Sequence, residues 1–143
     1  MSGFLLPDLD DETTSAFWAG TARGELLVQA CGACGRWRMP PRPMCPHCQS
    51  ISVTWIPTSG RGTVWSFIVP HPPLLPAYAE LAPYNAVIVA LDDNPAIRFV
   101  GNLVANADAP INEIDPATIT IGEPVRVVFT TVDDVALPRW VRA

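Results

Sequence analysis

The chain has 143 residues, of which 49% are hydrophobic, and its formal net charge is −5. This length allows one domain with a small addition, and no apolar run is long enough to span a membrane, so we expect a globular protein. The sequence contains nine arginines and no lysine, which excludes Schiff-base catalysis by a lysine of this chain. Sixteen prolines and nine glycines favour strands, turns and ordered loops over long helices.

The charged residues are segregated along the sequence. No acidic residue occurs between Glu25 and Glu80, whereas this segment contains four arginines, Arg36, Arg38, Arg42 and Arg61. The middle of the chain therefore either presents a surface that attracts anions or carries solvated arginines on loops, and the sequence favours neither interpretation.

Residues 10–23 predict a single amphipathic helix. Acidic residues at its start suit the positive end of the helix dipole. Phe17, Trp18 and Ala22 recur at helical spacing, and Gly24 supplies a left-handed stop. Two adjacent large aromatic side chains on so short a helix need a surface that covers them, either in their own domain or on another protein. Because the helix precedes the cysteine-rich segment and is not part of a core sequence, we predict that these three residues contact a partner.

The four cysteines form two C-x-x-C pairs, Cys31 with Cys34 and Cys45 with Cys48. This spacing lets four thiolates surround one zinc ion at about 2.3 Å and is typical of a zinc ribbon. The alternative is two disulfide bonds, but residues 1–9 lack the basic and apolar segments of a secretory signal. Four thiolates complete a tetrahedron, so we expect His47 to be a bystander and the metal to be structural.

The remaining pattern predicts strands. Short strands at 26–30 and 52–57 flank the cysteine pairs and form the sheet of the ribbon, and longer apolar or alternating segments follow at 63–69, 85–91, 97–104 and 125–132. The turn from Asp92 to Pro95 predicts a hairpin between the second and third of these later strands. Residues 70–83 and 106–122 read as irregular connections, the second with a helical turn at 116–119.

This order of elements predicts a mainly β protein that ends in a small Greek-key barrel of the OB type. We divide the chain into an N-terminal docking helix (1–25), a zinc ribbon (26–58) and an OB-fold domain (59–143).

A glycine-arginine turn at residues 59–62 is the first candidate for ligand binding. Gly60 and Gly62 permit close approach of the backbone, and the planar guanidinium of Arg61 suits a phosphate group. The turn serves equally well to join the ribbon to the barrel. Alternation places Trp65 and Phe67 on one face of the next strand, where they contact a ligand or fill the core.

No catalytic constellation is visible in the sequence. The motifs of the α/β-hydrolases, P-loop proteins, dinucleotide-binding domains and HExxH metalloproteases are absent. His71 stands alone in the proline-rich loop, where a histidine is more often packed or solvated than catalytic. The acidic pairs at 92–93 and 133–134 fit turns and solvated strand ends. We therefore assign no catalytic residue.

A series of short motifs along nearly the whole chain carries a family resemblance. The series comprises Phe17-Trp18-Ala19-Gly20, Gly24-Glu25-Leu26, the four cysteines, Pro40-Pro41-Arg42, Ser59-Gly60-Arg61-Gly62, Pro83-Tyr84, Leu91-Asp92, Gly101-Asn102-Leu103-Val104 and Ile121-Gly122. In this order the motifs resemble the family that combines a rubredoxin-like zinc ribbon with an acyl-CoA-associated OB-fold. Members of that family accompany enzymes of the thiolase superfamily.

The resemblance implies a non-catalytic subunit of a bacterial, cytoplasmic hetero-oligomer. Its partner would be a thiolase-like or lipid-transfer-type aldolase, a lyase that cleaves a carbon–carbon bond in steroid side-chain degradation, and some relatives are fused to hotdog-fold enoyl-CoA hydratases. The zinc would be structural and acyl-CoA would be a ligand of the complex. The candidate residues for an acyl-CoA channel are Gly60, Arg61, Gly62, Trp65, His71, Tyr84 and Asn102.

Two other functions compete with this one. Zinc ribbons and OB barrels also bind nucleic acids, but an isoelectric point near 4.8 and the absence of lysine oppose a strand-binding groove. A self-contained acyl-CoA enzyme would have to use His71 or an aspartate. The barrel sequence after Gly62 carries few cations, Arg98, Arg126, Arg139 and Arg142, so we expect CoA to be bound jointly with the partner.

Overall fold

The computed structural model describes residues 3–143, so the first two residues of the predicted docking helix segment lie outside the described part. The elements within it are α1 (Ser15–Ala22), β1 (Leu27–Cys31), β2 (Trp37–Arg38), β3 (Val53–Pro57), β4 (Arg61–Ile68), α2 (Pro76–Ala79), β5 (Ala86–Leu91), β6 (Arg98–Gly101), a 3₁₀ turn (Pro116–Thr118), β7 (Pro124–Val132) and β8 (Val135–Arg142). Neither of the helices described here combines the length and the hydrophobicity that crossing a membrane requires.

The first helix is shorter than the sequence predicts. It begins at Ser15 and not at Asp10, because the acidic residues before it form turns of their own. The Asp8 carboxylate accepts a hydrogen bond from the amide of Asp10 at 3.0 Å, and the Asp11 carboxylate accepts one from the amide of Thr13 at 2.8 Å. Such local side-chain bonds compete with helical ones, so the predicted start was wrong by five residues.

The ribbon is a three-stranded antiparallel sheet in the order β2-β1-β3. Every residue of β1 is buried, since α1 and the barrel cover its faces. Val28 at 0% exposure and Leu26 at 2% belong to the same apolar cluster as Phe17 and the barrel core. The base of the ribbon is therefore part of the main hydrophobic core.

The second sheet has five antiparallel strands in the order β6-β5-β4-β7-β8. Its two ends meet through a parallel bridge between Leu103, just after β6, and Trp140 of β8. The amide of Val104 donates to the Trp140 carbonyl at 2.8 Å, and the amide of Trp140 donates to the Asn102 carbonyl at 3.0 Å. This strand order and the bridge that closes it are those of an OB barrel. The predicted fold class is therefore confirmed.

The last strand was missed by the sequence analysis. Pro138 in its interior speaks against a strand, because proline donates no ladder hydrogen bond. The chain nevertheless reverses at Asp133 and Asp134, whose φ angles are +47° and +68°, and pairs Val132 with Val135. Positive φ at both central residues is the geometry of a two-residue hairpin turn, so this acidic pair has the predicted turn role.

A bulge in β4 changes which side chains face the core. Strand pairing with β5 shifts between Val64 and Ser66, so Trp65 points outward while Phe67 packs against the core. The prediction that Trp65 and Phe67 share a face was wrong, because one extra residue in a strand reverses the alternation beyond it.

Candidate functional site

The four cysteine sulfurs form a compact cluster at the tip of the ribbon, all within 4.8 Å of one another. The Sγ atoms of Cys31 and Cys48 are 3.6 Å apart, and those of Cys34 and Cys45 are 3.8 Å apart. A tetrahedron with metal–sulfur distances of about 2.3 Å has edges of about 3.8 Å, so the four residues fit one zinc ion. A disulfide needs a sulfur–sulfur distance of about 2.05 Å, and all four thiols are free; the disulfide alternative is therefore wrong.

The backbone of each C-x-x-C turn favours the thiolate form that binds metal. Amides of Cys34 and Ala33 donate to the Cys31 sulfur, each at 3.4 Å, and these bonds lower the pKa of Cys31 to about 6. In the second turn the amides of Cys48 and His47 lower the pKa of Cys45. Metal binding requires deprotonated thiols, so the turns prepare the site for a cation.

The crowding of four sulfurs has the opposite effect on Cys48. The amide of Ser50 lowers its pKa, but contact with Cys31, burial and the remaining thiols together raise the pKa to about 11. Without a cation the cluster therefore holds a proton, which metal binding would release. A zinc ion bound by four thiolates keeps no open position for water and acts structurally. His47 is exposed beside the cluster.

The glycine-arginine turn lies at the neck between ribbon and barrel. Gly60 has φ +73°, and a Cβ there would lie 2.7 Å from Cγ1 of Val127. A Cβ at Gly62 would lie 2.5 Å from the Ala90 carbonyl oxygen. Packing therefore accounts for both glycines without a ligand. Arg61 is exposed and is the cross-strand neighbour of Arg126, which places two cations on one face.

Asp93, in the turn after β5, forms hydrogen bonds with Ser59 in the same neck. The Asp93 carboxylate accepts hydrogen bonds from the Ser59 hydroxyl at 2.6 Å and the Ser59 amide at 3.1 Å. These bonds, led by the one from the hydroxyl, lower the pKa of Asp93.

An exposed apolar surface lies on the outer side of β4, β5 and β6. We call it the outer face and define it by Trp65, Ile68, Ile88 and Val100. Ile88 is the cross-strand partner of Val100, and Ile68 and Val100 are 63% and 70% exposed. The Arg98 guanidinium lies 3.8 Å from the centre of the Trp65 ring, a cation–π contact that fixes both side chains.

The other predicted channel residues lie in separate places. His71 is exposed on the loop before α2. Tyr84 is 8% exposed in a second apolar cluster with Val104 and Val141. Asn102 donates from Nδ2 to the Asn85 carbonyl at 2.6 Å and lines a small cleft. The structure therefore spreads the candidate channel residues over the neck, the outer face, the loop and this cleft.

The three residues predicted to contact a partner also differ in environment. Phe17 is 4% exposed, lies edge-on to Trp18 at 4.9 Å between ring centres and stacks on Phe99 at 6.1 Å. Its side chain is thus covered by the chain itself. Trp18 is half-buried and Ala22 is exposed, so these two keep surface that another protein could contact.

A cleft of about 440 Å³ opens where helix, ribbon and barrel meet, and it went unnoticed in the sequence. Trp18 comes from the helix, Met39 and Pro40 from the ribbon, and Phe99 and Val100 from the barrel. The residues that line the cleft are far apart in the sequence, so the hydrophobic periodicity of a single segment could not reveal it. The motif Pro40-Pro41-Arg42 was the available signal, because it places rigid apolar residues just after a strand.

Comparison with known proteins places this architecture in a family. The rubredoxin-like zinc ribbon domain of ChsH2 matches residues 18–51, and the C-terminal OB-fold domain of ChsH2 matches residues 55–130. The second match alone covers more than half of the chain. The chain belongs to the ChsH2 family.

Relatives of the ChsH2 family carry several names. A probable enoyl-CoA hydratase alpha subunit of Thermomonospora curvata is 37% identical over 126 residues, which are 87% of this chain and 36% of that protein. The 3-oxo-4,17-pregnadiene-20-carboxyl-CoA hydratase alpha subunit of Mycobacterium tuberculosis is 34% identical over 127 residues, 89% of this chain and 37% of that protein. The chain thus spans little more than a third of these two relatives. A DUF35 domain-containing scaffold protein of Methanothermobacter thermautotrophicus is 30% identical over 111 residues, 77% of this chain and 75% of that protein.

Solved structures agree with the ChsH2 assignment. A chain of the Ltp2-ChsH2(DUF35) aldolase superposes with a TM-score of 0.78 and 31% identity, and the match covers 95% of this chain and 98% of that one. A DUF35-family protein of unknown function from Sulfolobus solfataricus has a TM-score of 0.59 at 12% identity, with 93% and 87% coverage. The second similarity shows the fold alone.

Proposed function

We propose that the chain is a non-catalytic accessory subunit of a thiolase-superfamily, lipid-transfer-type aldolase that cleaves a carbon–carbon bond in acyl-CoA substrates during steroid side-chain degradation. The observation that carries the proposal is the match to nearly the whole of one chain of the Ltp2-ChsH2(DUF35) aldolase. In this role the ribbon holds a structural zinc ion, and the acyl-CoA is a ligand of the complex.

The chemistry of the described residues supports an accessory role. A closed four-thiolate site offers a substrate no coordination position. His47 and His71 are both exposed, one on the ribbon and one on the loop before α2, and neither lines the clefts named above. The acid and base for a retro-aldol reaction would come from the partner subunit.

The outer face is the proposed docking surface for the aldolase subunit. Contiguous exposed apolar surface marks protein–protein contact sites, and this one continues past Val100 to Trp18 at the rim of the larger cleft. A nucleic-acid groove would need several free cations here, whereas Arg98 is held against Trp65. The predicted contact role of the helix applies in this proposal to Trp18 and Ala22.

A hydratase is the second candidate partner. Two relatives are named as hydratase alpha subunits, one of an enoyl-CoA hydratase and one of a steroid carboxyl-CoA hydratase, and this chain corresponds to a little more than a third of each. The family resemblance implies that the remainder of those proteins is a hotdog-fold hydratase. Under this alternative the chain would bind such a hydratase in addition to the aldolase subunit.

The test is co-expression with a thiolase-like lipid-transfer protein from the same genome, followed by assay of retro-aldol cleavage of a β-hydroxyacyl-CoA steroid. We expect a stable complex, activity that requires both chains and none from this chain alone. Ile68→Asp on the outer face should raise the Kd of the complex by about tenfold or more. Ile121→Asp is the matched control, because Ile121 is 62% exposed and Ile68 is 63% exposed.

Two results would contradict the proposal. One is an aldolase subunit that is stable and fully active without this chain. The other is carbon–carbon cleavage by this chain when purified alone. Equal weakening of the complex by both isoleucine variants would refute the docking surface while leaving the accessory role intact.

A further inference from the structure

A second cleft, of about 240 Å³, lies between the N-terminal segment, α2 and β8. Leu5 and Tyr78 form one side, and Asn102 and Arg139 form the other. It shares wall residues with the larger apolar cleft, among them Trp18 and Val100. The two spaces therefore lie side by side, the larger one mainly apolar and the smaller one with Tyr78, Asn102 and Arg139 in its lining.

Arg139 is the unusual residue of this cleft. It is 6% exposed, although Trp140 next to it fills the barrel core and so directs Arg139 to the outside of the barrel. Among residues 3–143 the ion pairs join Arg23 to Glu25 and Arg142 to Glu123, so no carboxylate neutralises Arg139. Burial lowers the pKa of this guanidinium. A buried cation without a partner is costly to the folded state, and such a cost is typical of a site that awaits a ligand.

Tyr78 offers a second donor beside the guanidinium. Its hydroxyl oxygen accepts a hydrogen bond from the amide of Leu5 at 3.0 Å, which leaves the hydroxyl proton to donate into the cleft. The ring is held by stacking on Phe4 at 5.0 Å and by contact with Tyr84 at 6.2 Å. Two donors on rigid supports thus face one small space.

We propose that the joined clefts bind a small amphipathic carboxylate, whose anionic group contacts Arg139 and Tyr78 while its apolar part runs past Val100 and Trp18 into the larger cleft. A planar guanidinium binds a carboxylate through two parallel hydrogen bonds. One guanidinium balances one negative charge, which fits a monocarboxylate better than a phosphate dianion. The larger cleft, of about 440 Å³, lies within the range of small-molecule sites, roughly 300–1000 Å³, and the smaller one adds room for the anionic group. The inference can be tested on this chain alone, although Val100 and Trp18 also belong to the surface proposed above for docking of the partner.

Octanoate binding to the zinc-loaded chain, measured by calorimetry and by chemical shifts, tests the proposal. Octan-1-ol matches octanoate in length but lacks the charge, and inorganic phosphate has the charge without the apolar tail. We expect saturable octanoate binding, octanol binding at least about tenfold weaker and no saturable phosphate binding. Octanol binding as tight as that of octanoate, saturable binding of phosphate alone, or no octanoate binding would each overturn the proposal.

Arg139→Gln separates a ligand role from a structural one. It should weaken octanoate binding by about tenfold or more and leave the melting temperature of the free chain unchanged or higher, since it removes an uncompensated buried charge. Arg126→Gln, at an exposed position on β7, should bind octanoate like the native chain. A large fall in melting temperature on Arg139→Gln would instead indicate a structural arginine and count against the proposal.

Tyr78→Phe supplies a second variant that keeps the ring and its stacking. It should weaken octanoate binding several-fold while octanol binding stays the same. Unchanged octanoate affinity in both Arg139→Gln and Tyr78→Phe would show that the anion lies elsewhere and would overturn the assignment.

Discussion

The tip of the zinc ribbon and the barrel are stabilised by different means. Within residues 32–52 the buried positions are Arg38 and Cys45, and the rest are exposed or half-buried. The barrel encloses Trp140 at 0% exposure together with a layer of fully buried valines and leucines. One end of the molecule therefore has no apolar core of its own, whereas the other is held by apolar packing.

Besides its cysteines, the tip has polar bonds and the contacts of half-buried Trp37 and Met39 with the main core. The Gln29 side-chain oxygen accepts bonds from Arg38 Nε at 2.5 Å and from the Arg42 amide at 2.7 Å. Arg38 also donates to the Arg42 carbonyl at 3.3 Å, but its Nη1 has no hydrogen-bond partner. Such bonds contribute about 1 kcal/mol each, too little to order a segment of this length against its conformational entropy. We therefore expect a metal ion bound by the four thiolates to supply the stability that the sequence of the tip lacks.

Removal of zinc should therefore have the largest effect, and a local one. Structural zinc contributes on the order of 10 kcal/mol in zinc-finger peptides. Chelation, or Cys45→Ser, should release about one zinc per chain and disorder residues 32–52. Hydrogen exchange should then lose protection at the amides of Gly35 and Gln49, which bond to the Cys31 and Cys45 carbonyls, while the barrel amides of Val104 and Trp140 remain protected.

His47→Ala is the control for this experiment. His47 lies within the second cysteine pair but is exposed, so its loss should leave zinc content and protection unchanged. Loss of zinc on His47→Ala would contradict a four-thiolate site. Global unfolding on chelation would show that the barrel depends on the ribbon, contrary to the comparison above.

The features that the sequence revealed are local in the chain. The cysteine pairs encode their own turns, so the metal cluster follows from spacing, and the turn at Asp92 to Pro95 correctly predicts the β5–β6 hairpin. The strand β8 was missed because its pairing across a two-residue turn outweighs an interior proline. The start of α1 was misplaced because Asp8 and Asp11 form turns that helical spacing does not reveal.

The ligand clefts could not be predicted for a different reason. Trp18, Val100 and Arg139 come from three distant segments, and packing alone brings them together. In the sequence Arg139 is one more arginine near a strand end. Its burial without a carboxylate partner appears in the structure alone, although its position beside Trp140 on a barrel strand was a weak signal.

Removal of a large apolar side chain should destabilise the barrel, whose stability depends on apolar packing. Trp140→Ala removes a fully buried side chain that packs against Gly101 and Phe99 and should lower the free energy of unfolding by about 3–5 kcal/mol. Trp65→Ala, at a position 49% exposed, should cost about 1 kcal/mol or less through the lost contact with Arg98. Urea unfolding followed by far-UV circular dichroism measures both.

The zinc content of the two tryptophan variants shows whether a change in the barrel affects the metal site. Both should retain about one zinc per chain, because the metal ligands are the four cysteines of the ribbon and neither tryptophan is among them. Equal destabilisation by the two tryptophan variants would contradict the assignment of Trp140 to the core and Trp65 to the surface.

The smallest expected effect concerns Asp93, which connects the neck of the ribbon to the barrel. Its hydrogen bonds with Ser59 lower the pKa of the folded-state carboxyl below the usual 3.8, so they stabilise the fold above that pH and the contribution is lost as pH falls through the folded pKa. Asp93→Asn should therefore cost less than about 1 kcal/mol at pH 7, since solvent screens an exposed carboxylate. The difference from the native chain should shrink below about pH 4. Asp92→Asn, at an exposed neighbouring position, is the control, and it should cost less than Asp93→Asn in urea unfolding at pH 7. A difference that grows on acidification would refute the role given to Asp93, because the native carboxylate would then be destabilising the neck that joins a metal-held tip to a packed barrel.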